Sequence, residues 1–116
     1  MKKYLAEMVG TMVLVLMGCG TTVSLSCGVD AASVVGTALA FGLAVVAMAY
    51  TIGGISGCHI NPAITLGVWL SKRMSGKDAA MYMLFQVIGA FIGAGILMAL
   101  AQSLVLVQMQ CNRVSQ

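Results

Sequence analysis

Few side chains in this sequence are able to do chemistry, and most of them lie together. Ser56-Gly57-Cys58-His59-Ile60-Asn61 runs straight into Pro62-Ala63. Asn61 is a preferred helix N-cap and Pro62 a preferred first helical residue, so a short helix is expected to open there. The first N–H groups of a helix have no partner within it, and they carry the positive end of its dipole. Such an end favours a dipolar oxygen or an anion and repels cations. The Asn61 amide can donate a hydrogen bond, and carbonyls of the glycine-rich run before it can accept. A file of water needs both kinds of partner, while the same field opposes a proton. Asn-Pro alone is also an ordinary turn signal. Its place in a charge-free stretch from Ala31 to Ser71 favours the functional reading.

The remaining candidates are fewer. Glu7 is the one acid in the first apolar run, where it either snorkels to the membrane interface or carries protons. The four cysteines, at 19, 27, 58 and 111, match no Cys-x-x-Cys or Cys/His metal spacing. The single histidine follows Cys58 directly, too close for usual ligand geometry. Cys19 and Cys27 read as apolar packing residues. No metal or cofactor is expected, and no nucleophile–base pair supports an enzyme.

The elements that must position Asn61 follow from composition. The chain has 116 residues, 60% hydrophobic and 8% charged, with a mean hydropathy of +1.02. Soluble domains carry roughly 25% charged residues, so this is a membrane protein of one domain. Six basic residues without clustering on one face exclude a nucleic-acid footprint. Lys2-Lys3 before an apolar run has the look of a secretion signal. The run continues past Cys19 towards Val29, however, longer than the 7–15 or so residues of such a signal, and a retained helix is expected. Spans are expected over about 4–27, 33–52 and 79–107, with a loose polar tail at 108–116. Gly53 to Ile60 is too rich in glycine and small polar residues to favour continuous helix.

Pro62 to Leu70 is nine residues, about 13 Å of helix, which cannot cross roughly 30 Å of hydrocarbon. Charge gives the same answer. With Lys2 and Lys3 in the cytoplasm, two spans return the chain there near Tyr50. If the segment 53–70 enters and turns back, Lys72, Arg73 and Lys77 are cytoplasmic too. Tyr4, Tyr50, Trp69 and Tyr82 then fall near that interface as an aromatic belt. The expected fold is all-α, with three transmembrane helices plus one re-entrant half-helix. Non-helical backbone at membrane depth must be buried in protein or line a water-filled cavity.

At this point the sequence resembles a known family. Ser56-Gly57-Cys58-His59-Ile60-Asn61-Pro62-Ala63-Ile64-Thr65-Leu66-Gly67 is similar to the signature of the first half of an aquaporin. Ala6-Glu7-Met8-Val9-Gly10-Thr11 resembles the family's AEFxGT start of helix one. Ala38 to Leu43 and Gln86 to Ala90 resemble its second and third helices. The resemblance covers about residues 3 to 100 and is nearest to bacterial water-selective aquaporins. It implies that Asn61, Pro62 and Ala63 form one of two NPA boxes, and that His59 lines the pore through its backbone carbonyl. It implies that Glu7 is a buried carboxylate holding the re-entrant loop and Phe41 an aromatic wall of the selectivity filter. Read without it, Phe41 is plain core or lipid-facing surface. Gln86 reads as an interhelical hydrogen bond, and Gly89-xxx-Gly93 with Gly36, Ala40 and Gly42 as close helix packing.

The family is built from two inverted repeats, and this sequence matches one, so a half-length form is expected. The leading reading is a passive water channel of that type, in a bacterial inner membrane with a cytoplasmic N-terminus. Its partners would be water, small neutral solutes, the lipid bilayer and copies of itself in a tetramer. The alternatives are a small proton-coupled transporter working as a dimer with Glu7 as proton carrier, which predicts four full spans, and a non-conducting membrane fragment.

Overall fold

Three of the four helices begin where the sequence supplies a side-chain cap. The computed structural model describes residues 1–114, the side chains at 107, 108, 110–112 and 114 excepted. α1 spans Lys2–Ser24, α2 Ala31–Ser56, α3 Pro62–Leu70 and α4 Gly76–Val114. Asp30 caps α2 by accepting from the N–H groups of Ala32 and Ser33 at 3.0 and 3.1 Å. Asn61 caps α3 by accepting from Ala63 N–H at 2.8 Å, with Pro62 behind it at the position where the missing N–H costs nothing. Ser75 does the same for α4, its hydroxyl accepting from Asp78 N–H at 3.1 Å.

Two boundaries differ from expectation. α2 runs through Gly53 and Gly54 to Ser56 and stops at Gly57, whose φ of +88° suits glycine. In lipid a backbone that leaves the helix loses hydrogen bonds that no water replaces, so two glycines alone do not break it. The chain is irregular from Gly57 to Asn61 only. The second difference is the expected loose tail, which is helical as far as Val114. No glycine or proline follows Gly95 to stop it. Ser115 and Gln116 lie outside the described residues.

α1, α2 and α4 are each long and apolar enough to cross a membrane, and α3 is not. α1 packs against both α2 and α4, and α3 lies on α4. Lys3 Nζ meets Asp78 at 2.8 Å, Glu7 meets Gln86 at 2.8 Å, and Gly93 faces Met12. Residues rising along α1 thus meet residues rising along α4, so these two helices are parallel. Ser56, at the end of α2, also reaches Glu7 near the start of α1, so α2 is antiparallel to both. Asp78 beside Lys3 puts the 71–75 loop at the N-terminal end of the bundle. The chain therefore enters and leaves through one face between α2 and α4, as a re-entrant segment must.

Glycine sets the closest helix contact. A Cβ on Gly89 would collide with the Met8 carbonyl, and one on Gly93 would lie 2.7 Å from the Met12 oxygen. Gly42 does not take part as expected: nothing lies within 4 Å of the position its Cβ would occupy. The buried interior is unusual in being polar. Gln86, Glu7 and Thr65 are the largest fully buried side chains, while leucines, valines and isoleucines crowd the outside. That inversion suits a protein whose solvent is hydrocarbon.

Candidate functional site

The site grows from one carboxylate. Glu7 sits on α1 with no exposed surface. Its Oε1 accepts from the Ser56 hydroxyl at 2.6 Å and from His59 N–H at 2.9 Å. Its Oε2 accepts from Ile60 N–H at 2.6 Å and from Gln86 Nε2 at 2.8 Å. Glu7 therefore points inward and meets the re-entrant loop, rather than snorkelling outward to the interface. Charge-assisted bonds of this kind are worth roughly twice neutral ones, and they hold a loop that would not choose its own conformation. Cys58 and Ile60 have φ of 51° and 41°, in the left-handed region. That region costs a residue with a Cβ about 1–2 kcal/mol, and a β-branched isoleucine rarely enters it.

A second shell of contacts surrounds the loop. Thr65, four residues after Asn61 on α3, is fully buried and bonds Gln86 Nε2 and His59 Nδ1, both at 3.0 Å. Tyr82 donates its hydroxyl to the Ser56 carbonyl at 2.8 Å, and its ring lies 5.2 Å from that of His59. Tyr82 thus differs from the interfacial role expected of it, being only 3% exposed. It lies six residues into α4, where a hydroxyl without a partner would be costly.

The loop's own carbonyls are treated differently. Asn61 O is taken by Thr65, and Ser56 O by Tyr82. Among the described residues, no donor reaches the carbonyls of Gly57, Cys58, His59 and Ile60, nor does an acceptor meet the Asn61 side-chain N–H₂. Asn61, Pro62 and Ala63 are exposed beside them. Four successive free acceptors therefore lead to a free donor at the head of a helix. Gln86 lies ten residues into α4, about 15 Å from its start, near the middle of a bilayer core. Thr65 touches it there, so the head of α3 is at that depth.

The structure brings Glu7, His59, Asn61, Pro62 and Ala63 together and leaves Phe41 apart. The Phe41 ring packs on Gly18 of α1, eleven residues and about 16 Å beyond Glu7 towards the far end of the bundle. The sequence assigned no role at this site to Ser56, Thr65 or Tyr82. For Tyr82 a signal was present. Asp78, Tyr82 and Gln86 recur every four residues on one face of α4, and Lys3, Glu7 and Thr11 do so on α1. Two polar stripes on apolar helices are expected to face each other.

Comparison with known proteins points to one family. The family model for "Major intrinsic protein" matches residues 1–116. Aquaporin Z of Rhodopseudomonas palustris is 50% identical over 101 residues, covering 85% of this chain and 42% of that protein. Aquaporin Z of Bradyrhizobium diazoefficiens is 46% identical over 103 residues, 87% of this chain and 42% of its own length. Glycerol uptake facilitator protein-like 6 of Lactiplantibacillus plantarum is 40% identical over 104 residues, 90% of this chain and 46% of that protein. The chain spans less than half the length of the curated relatives it matches.

Proposed function

The chain belongs to the major intrinsic protein family, and we propose that it forms one half of a passive water channel, with no enzymatic chemistry. The carrying observation is the row of free carbonyls from Gly57 to Ile60 ending at the free Asn61 amide. Polar backbone at mid-membrane has to be satisfied, and water is the partner that can accept and donate along such a row. His59 serves through its carbonyl, and Asn61 with Pro62 and Ala63 turns the file at the head of α3. The positive end of α3 disfavours cations there. Phe41, at the far end, forms one wall of the filter. Glu7 holds the loop in shape.

The orientation follows from charge: Lys2, Lys3, Lys72, Arg73 and Lys77 make the N-terminal end cytoplasmic in a bacterial inner membrane. Assembly as a homotetramer, with water and small neutral solutes as cargo, belongs to the same reading. The transporter alternative calls for four full spans, and three helices of membrane length are present among the described residues.

Stopped-flow shrinkage of proteoliposomes holding the purified chain tests the proposal. Water permeability above the lipid baseline is expected, with an Asn61→Leu variant returning to it. Baseline permeability for the unaltered chain would overturn an autonomous pore and leave a non-conducting membrane fragment. Parallel glycerol gradients read the selectivity.

A further inference from the structure

The hydrogen bonds around Thr65 have a direction, and it leads from the buried carboxylate to the chain's one histidine. The Thr65 side chain has three polar neighbours: Gln86 Nε2 at 3.0 Å, His59 Nδ1 at 3.0 Å and Asn61 O at 3.3 Å. A hydroxyl offers one hydrogen and two lone pairs, so only one of these neighbours receives its hydrogen. Gln86 fixes which. Its amide nitrogen faces Glu7 Oε2 at 2.8 Å, among donors only, and gives one hydrogen there. The other goes to Thr65, whose own hydrogen is left for His59 Nδ1 or for Asn61 O. Asn61 O, at 3.3 Å, lies beyond the roughly 2.5–3.0 Å of an ordinary O–H···O bond, whereas Nδ1 lies at 3.0 Å. The hydroxyl hydrogen therefore goes to Nδ1. A neutral imidazole whose Nδ1 accepts carries its proton on Nε2.

Nε2 lies at the loop surface. It has no partner among the described residues and is not sealed from it, since Gln86 Oε1 is the buried side-chain atom left unpaired. A methyl group on Gly57 would stand 3.5 Å from Nε2, so the ring folds back over the exposed first residue of the loop. The Tyr82 ring closes its other side.

We propose that Thr65 is a positioning residue that passes the orientation of Glu7 and Gln86 to His59, fixing its Nε2–H tautomer. The loop then presents a side-chain N–H donor beside a row of backbone acceptors. A water that binds a carbonyl there also finds a donor before it reaches Asn61. That consequence rests on the water-channel reading. The tautomer does not.

The single histidine makes the experiment direct. The chain labelled with ¹⁵N-histidine in detergent micelles is observed at about pH 8.5, two units above the ordinary imidazole value. One species is expected, with protonated Nε2 and an Nδ1 resonance shifted by the hydrogen bond it accepts. Thr65→Val should abolish that shift and admit both tautomers. Thr65→Ser should keep the unaltered spectrum. Gln86→Leu frees a Thr65 lone pair and should mix the tautomers although the hydroxyl remains. A protonated Nδ1 in the unaltered chain would overturn the proposal, as would a Thr65→Val spectrum identical to it. Where Thr65→Val does not fold, the unaltered spectrum and Thr65→Ser decide. Baseline water permeability with the expected spectrum would sink the channel reading and leave this one standing.

Discussion

Removing the Glu7 carboxylate would strand three donors at once, those of His59, Ile60 and Gln86, and leave the Ser56 hydroxyl only the Ile52 carbonyl at 3.4 Å. A buried donor without a partner costs about 1–3 kcal/mol. Glu7→Leu should therefore destabilise the fold by at least about 3 kcal/mol, read as a lower unfolding midpoint in mixed micelles. Asp30 offers a milder case outside the spans. The Ser33 hydroxyl, at 2.6 Å, and then the Ser33 N–H hold its carboxyl below the usual carboxylate value. A lowered folded value means the cap's contribution is complete above the ordinary value near about 4 and drains away as pH falls through the folded one. Because the group is exposed, the loss should appear as local fraying. Hydrogen-exchange protection at Ala32 and Ser33, taken relative to the intrinsic rate, should fall on acidification below about pH 4, while Asp30→Asn should cap α2 without that dependence.

At the scale of elements, glycine position decides the sign of a substitution. Gly89→Ala drives a methyl into the Met8 carbonyl, so α1 and α4 must separate. Overpacking of this kind costs about 1–3 kcal/mol. Gly42→Ala meets nothing within 4 Å and should instead gain roughly 0.5–1 kcal/mol of helix propensity. Thermal unfolding followed by circular dichroism would show the two midpoints moving in opposite directions. Both glycines look alike in sequence, each in an apolar helix among small residues. The half-helix was legible because Asn61-Pro62 names its start and nine residues cannot cross. The end of α2 was not, because Gly53 and Gly54 break helices in water far more readily than in hydrocarbon. Thr65 was missed for a related reason: a lone hydroxyl in an apolar run carries no periodic signal.

The whole molecule tests its topology at its charged end. Lys2 and Lys77 should be on one side of the membrane, because Lys3 and Asp78 are 2.8 Å apart. Cysteine placed at either position, in a chain otherwise without cysteine, should react with an impermeant maleimide from the same face. Opposite accessibility would mean that α3 crosses. One further consequence concerns time. Ser56 follows Glu7 by 49 residues and Gln86 follows it by 79. A ribosome adding about 5–20 residues each second takes roughly 4–16 s to go from Glu7 to Gln86. Throughout that interval the first helix carries a carboxylate whose set of partners is incomplete. It has to wait at the lipid edge or in the insertion machinery, and its shell is complete only when the last-made helix arrives.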